Sequence, residues 1–113
     1  MMRYVPALLL LFVSPVMAHD HSRPELHDWY LSLTVPNDHS GFAQGESCCH
    51  ETDCKPRPVR LVGGIYEAQG DAGNWLPIPA LSVITDKGNP YLQAVICIRF
   101  GRINCAVMGK AGG

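Results

Sequence analysis

The stretch ESCCHETDC, residues 46–54, places Cys48, Cys49 and Cys54 close together with His50 among them. Three chemistries use such a cluster: a disulfide framework, a metal site or a reactive thiol. The compartment decides between them, because thiols pair where the surroundings are oxidising and stay reduced in the cytoplasm.

The chain opens MMRYVPALLLLFVSPVMAHD. One basic residue, Arg3, precedes an apolar run centred on Leu8 to Val13. Ser14-Pro15 then breaks the run before Val16-Met17-Ala18. This order of charge, apolar stretch and small residues predicts a secretory signal peptide at residues 1–18, cleaved after Ala18. The run is too short to cross a bilayer, which takes roughly 20 residues, so no membrane span is expected after cleavage. The predicted location is periplasmic or secreted. All five cysteines, Cys48, Cys49, Cys54, Cys97 and Cys105, lie in the exported part.

Cleavage leaves 95 of the 113 residues, enough for one small domain. Loss of Arg3 moves the formal charge from −1 to −2. That balance argues against a nucleic-acid partner and against docking on anionic lipid. A domain this small buries a limited share of its surface and gains much from covalent cross-links.

Along the exported chain, Ser22 to Glu25 has the S-x-x-E spacing of a capping box, with Pro24 suited to an early helical position. Leu26, Trp29, Tyr30 and Leu33 follow at the spacing of one apolar helical face, predicting a helix from Pro24 to Leu33. Residues 34–45 are loop by composition. PVRLV-GG-IYEAQ predicts a hairpin turning at Gly63-Gly64, with Val62 opposite Ile65 and Arg60 opposite Glu67. The prolines of NWLPIP (residues 74–79) predict an edge strand or one that ends early. ALSVI is short and extended or a single turn. YLQAVICIRF-GR-INCAVM is the longest strand pair. The expected organisation is an N-terminal helix, loop and cysteine cluster over residues 19–57, an antiparallel β core over 58–108 and a disordered tail over 109–113. The fold class is mainly β, a small antiparallel sheet or partly open barrel with one short N-terminal helix, stapled by disulfides.

The last hairpin bears on the bridges. A two-residue loop at Gly101-Arg102 sets Phe100 opposite Ile103 and Ile98 opposite Cys105. Cys97 and Cys105 then point to opposite faces and do not bond each other. Each takes a partner from Cys48, Cys49 and Cys54, giving two bridges and one thiol left over, with the connectivity open. A bridge of this kind closes a loop of roughly 50 residues and is worth on the order of 4 kcal/mol. The inference depends on register, since a slip of one residue puts both hairpin cysteines on one face.

Zinc is the weaker reading of the cluster, because the spacing lacks paired C-x2-C ligands and the compartment disfavours thiolate. A nucleophilic cysteine beside His50 would need an orienting residue and an oxyanion site, and neither is legible. No Ser-His-Asp order, paired acids, phosphate loop or HExxH motif occurs.

Cleavage after Ala18 would expose His19-Asp20-His21 as the mature terminus. An α-amine, two amide nitrogens and the third-position imidazole suit square-planar copper or nickel, so His19 and His21 are the alternative metal residues. His27 reads as a capping or surface residue, and His39 and His50 as solvated loop residues. Trp29 and Tyr30 read as core anchors. Tyr66 and Trp75 are expected on one face of the first hairpin's sheet with Val59, Leu61 and Ala68, as core.

Several runs together resemble a family of small exported cysteine-containing proteins of rhizobia-like Alphaproteobacteria. They are HDWY from His27, the SCCHETDC run within Ser47 to Val59, Tyr66-Glu67-Ala68 with the Trp75-to-Pro79 segment, Asn89-Pro90, and VIC…INC from Val95 to Cys105. Two departures are Asn74, where the family pattern has glycine before tryptophan, and Cys105-Ala106-Val107-Met108, where it has cysteine-aromatic-valine-proline. The resemblance implies a bacterial periplasmic or secreted location and carries no catalytic residues with it. The function expected is that of a non-enzymatic binding or structural module of the cell envelope, its partner an unknown protein or envelope component, with no cofactor. The alternative is a Cu(II)- or Ni(II)-binding periplasmic protein acting through His19-Asp20-His21.

Overall fold

The computed structural model describes residues 23–49 and 53–110. The expected signal peptide, the proposed cap Ser22, the histidines at 19, 21 and 50, and residues 111–113 of the tail lie outside them.

Pro24–Leu26 forms a 3-10 turn that leads directly into helix α1, His27–Leu31. Proline at the first helical position needs no N–H partner. Arg23 stands at the cap without a side-chain cap hydrogen bond. The helix ends two residues before the expected Leu33, where the Ser32 hydroxyl donates to the Trp29 carbonyl at 2.6 Å. Tyr30 and Leu33 are fully buried, and Trp29 packs against the same core.

The loop over 34–45 is more ordered than its composition suggests. Val35 N–H donates to Glu46 O at 2.8 Å, Gly45 N–H returns to Val35 O at 2.9 Å, and Cys48 N–H donates to Leu33 O at 2.9 Å. The excursion turns at Ser40 and Gly41, both at positive φ, between the bridged residues His39 and Phe42. Its effect is to carry Cys48 and Cys49 back beside α1.

Six strands follow: β1 Asp53–Pro56, β2 Val59–Val62, β3 Ile65–Gln69, β4 Trp75–Pro77, β5 Val95–Arg99 and β6 Arg102–Val107. They form two three-stranded antiparallel sheets, ordered β1-β5-β6 and β2-β3-β4. The molecule is therefore mainly β with one short helix and two disulfides, and its sheets do not close into a barrel. Strand β1 lies inside the segment expected to be loop and cysteine cluster, so the β core begins at Asp53 rather than at residue 58.

The β2–β3 hairpin has the expected register, with Val62 opposite Ile65 and Arg60 opposite Glu67. Gly63 and Gly64 both take positive φ, which is what a two-residue turn of this hand requires. Strand β4 is an edge strand on β3.

The β5–β6 hairpin differs from expectation. Its turn is Phe100-Gly101, at φ 55° and 72°, so Arg99 rather than Phe100 begins the pairing, opposite Arg102. Ile98 faces Ile103, and a bulge then shifts the register so that Cys97 faces Cys105. The extra residue is Asn104. Relative to the expected alignment the cysteines have slipped by one, and Cys97 and Cys105 share a face. The face argument for their separation is thereby overturned.

Alternation along β5 and β6 divides the core in two. Val95, Cys97, Cys105 and Val107 face α1 and the 33–49 segment, joining Tyr30, Leu33, Val35, Phe42, Ile84 and the remaining cysteines. Ile96, Ile103 and Ala106 face the second sheet, where Ala68, Ile78 and Ala94 are buried with them and Val59, Leu76 and Ile98 pack alongside. The sheet β1-β5-β6 is thus covered on both faces, and the second sheet on one.

Candidate functional site

Cys54, Cys97 and Cys105 stand side by side across the first sheet, Cys54 opposite Cys97 on β1 and β5, and Cys97 opposite Cys105 on β5 and β6. Residues directly opposite in neighbouring strands present their side chains to the same face. Cys48 and Cys49 reach that face from the chain before β1. The result is a sulfur cluster in which all five side chains are buried.

Two bridges close within it, Cys48–Cys105 and Cys54–Cys97. Each joins the ESCCHETDC segment to the final hairpin, and Cys97 and Cys105 are not bonded to each other. Cys49 belongs to neither bridge and retains its thiol. That thiol donates to the Tyr30 carbonyl at 3.6 Å and lies 2.7 Å from Cys54 Sγ. The sulfurs of Cys49, Cys54 and Cys97 all lie within 4.8 Å of one another. While Cys54–Cys97 is closed, two of these sulfurs are not thiolates and offer a soft metal little.

The bulge at Asn104 has a structural use beside this cluster. Its side-chain Nδ2–H donates to the Cys48 carbonyl at 3.1 Å, and its own carbonyl lies 3.0 Å from His39 Nε2. His39 was expected to be a solvated loop residue. It is instead half-buried, packed on Phe42 at 5.7 Å between ring centroids, and tied to β6. His27 is exposed, consistent with a surface position.

The aromatic residues of the second sheet need a correction. Gln69 pairs with Trp75 and Ala68 with Leu76, so Trp75 sits on the face opposite Tyr66. The Arg60 guanidinium lies over the Trp75 ring at 4.2 Å and pairs with Glu67 at 2.7 Å, a polar outer face. On the other face only the inner end is core. Ala68 is buried, whereas Leu61 is 58 % and Tyr66 40 % exposed.

The turn end of the β2–β3 hairpin consequently carries Leu61, Val62, Ile65 and Tyr66 in solvent. Ile65 and Tyr66 also line, with Pro77, Ile78, Val83 and Met108, a cavity of about 590 Å³. Leu61 and Tyr66 stand opposite each other on the inner face, and Val62 and Ile65 on the outer one. Single exposed apolar residues are ordinary, but a hairpin end apolar on both faces beside an apolar concavity is a candidate binding element.

Two polar residues that position these features were not legible in advance. Arg57, 2 % exposed, lies between β1 and β2 and links the sheets. Its N–H donates to Ala94 O at 3.0 Å, Nε to Ile96 O at 3.3 Å, and Nη1 to Asp71 Oδ1 at 2.8 Å. Asn89 holds the 88–94 loop against the end of β6, donating from Nδ2 toward the carbonyls of Gln93, Val107 and Met108. Its Oδ1 accepts Tyr91 N–H at 2.7 Å. A buried arginine beside carbonyl groups has no sequence signature. The Asn89-Pro90 pair stood out in the sequence only as part of the family resemblance.

Among the described residues no helix is long and apolar enough to cross a membrane. No family model, curated protein or solved structure matches the chain.

Proposed function

We propose that this chain is an exported, disulfide-stapled module of the bacterial cell envelope or its surroundings that binds a protein or envelope component, without catalysing a reaction. The observation that carries the reading is the apolar group Leu61, Val62, Ile65 and Tyr66, held in solvent beside a concave apolar wall. An exposed hairpin end of this composition is a liability unless something covers it. The two bridges support the same reading, since paired cysteines suit an oxidising compartment and fix the sheet against which the second sheet packs.

The test is a photocrosslinking residue at position 65, compared with one at Gln93 on the 88–94 loop, in protein expressed at native level with its first 18 residues intact. Cell fractionation and N-terminal sequencing read location and processing from the same sample. The proposal expects a periplasmic or secreted protein beginning at His19, with one discrete adduct from position 65 and none from position 93. Cytoplasmic retention, or equal and diffuse adducts from both positions, would overturn it.

A further inference from the structure

Cys49 is placed where its thiol can exchange with a bridge. Its Sγ lies 2.7 Å from Cys54 Sγ, and Cys54 is bonded to Cys97. A disulfide bond is about 2.05 Å long, so the two sulfurs are within about 0.7 Å of bonding. All three side chains are buried in one apolar cluster, which brings them together without recourse to chain opening.

We propose that Cys49, Cys54 and Cys97 form an internal thiol–disulfide exchange set, so that the second bridge has two covalent forms, Cys54–Cys97 and Cys49–Cys54. The Cys49 thiol loses its proton, and the thiolate attacks Cys54 Sγ. A Cys49–Cys54 bond forms as the Cys54–Cys97 bond breaks. The electron pair leaves on Cys97, which takes up a proton. One thiol and one disulfide stand on each side, so no external oxidant or reductant is consumed.

The two forms differ mechanically. In the first, the bridge ties β1 directly to β5 at opposed positions, across 43 residues of sequence. In the second, the link closes only the short segment between residues 49 and 54. Strand β1 is then held to β5 by hydrogen bonds alone, and the thiol moves to Cys97, in line with Cys105 on β6. The Cys48–Cys105 bridge is unchanged in both, so the cluster stays attached to the last hairpin throughout.

The exchange is read by thiol mapping on the full exported chain. Oxidised protein is held at pH 8 without added oxidant or reductant, quenched in acid, and alkylated with N-ethylmaleimide in acidic denaturant, which stops exchange. Trypsin cuts at Arg99 and Arg102, between Cys97 and Cys105, and a glutamate-specific protease cuts at Glu51, between Cys49 and Cys54, so Cys54 is recovered linked to the Cys97 peptide in one form and to the Cys48-Cys49 peptide in the other. The expected result is label divided between Cys49 and Cys97, with the Cys97 label abolished in Cys49→Ser. Label confined to Cys49 in the unsubstituted chain overturns the proposal, as does persistence of Cys97 label in Cys49→Ser. Cys97→Ser supplies the second variant. Refolded under oxidised glutathione, it should carry a Cys49–Cys54 bridge, and recovery of both as alkylated thiols is a contrary result.

Discussion

Removing either bridge should destabilise the domain by about 3 kcal/mol, and removing both by about 7 kcal/mol, because the two loops are nested. Cys48–Cys105 spans 57 residues and Cys54–Cys97, lying inside it, spans 43. In the chain-entropy treatment a lone bridge of either span is worth about 4 kcal/mol at 25 °C. With the inner bridge closed, however, the outer one restricts only the difference between 57 and 43, about 14 residues, and adds about 3 kcal/mol. The pair is therefore worth less than twice a lone bridge. The variants are Cys48→Ala with Cys105→Ala, Cys54→Ala with Cys97→Ala, and all four together. Urea unfolding followed by circular dichroism gives the free energies, and the slope with denaturant should rise as each cross-link is lost, since the unfolded chain then exposes more surface. A small domain has roughly 5–15 kcal/mol in all, so the fourfold variant should lose about half of its stability or more. A loss below about 1 kcal/mol for either paired variant would mean that loop closure is not what the bridges contribute, because it falls far short of that entropy.

Three further substitutions test the packing that positions the candidate surface. Asn89→Ala removes the contacts holding the 88–94 loop to β6 and should cost about 2 kcal/mol, read as a shift in the urea midpoint, while no change would show the loop to be held by other groups. Gly109→Ala places a Cβ against the Leu92 carbonyl oxygen and the Gln93 and Ala94 backbone. It should lower stability by about 1–3 kcal/mol, and a neutral result would mean the backbone there yields freely. Arg60→Ala breaks an exposed pair with Glu67 and the stacking on Trp75, for a loss of only about 0.5–1 kcal/mol that shrinks at high salt. A larger, salt-independent loss would mean that the outer face of the second sheet is a packed one.

What could be read from the sequence followed from the strength of its local signals. Gly63-Gly64 admits few alternatives, so the β2–β3 register, down to the Arg60–Glu67 pair, was legible. The β5–β6 hairpin was not, for two physical reasons. Its turn uses Phe100 in the left-handed region, which a bulky side chain rarely enters, so Gly101-Arg102 looked the better loop. Asn104 then bulges out of register, and nothing in alternation announces a bulge. Strand β1 was hidden because Asp53-Cys54-Lys55-Pro56 has neither apolar alternation nor length. It is ordered by its pairing with β5 and by the Cys54–Cys97 bridge. Leu61 and Tyr66 were misread as core because apolar alternation marks a face and not its burial. Leu61 and Tyr66 share a face with Ala68, but the covering layer stops before reaching them.

Two sulfur links tie ESCCHETDC to the last two strands, and non-reducing peptide mapping of the protein, purified without reductant and with its thiols blocked, reads them directly. The structure predicts a Cys48–Cys105 peptide pair together with a Cys54–Cys97 pair. A Cys97–Cys105 pair, or five alkylated thiols, would contradict it.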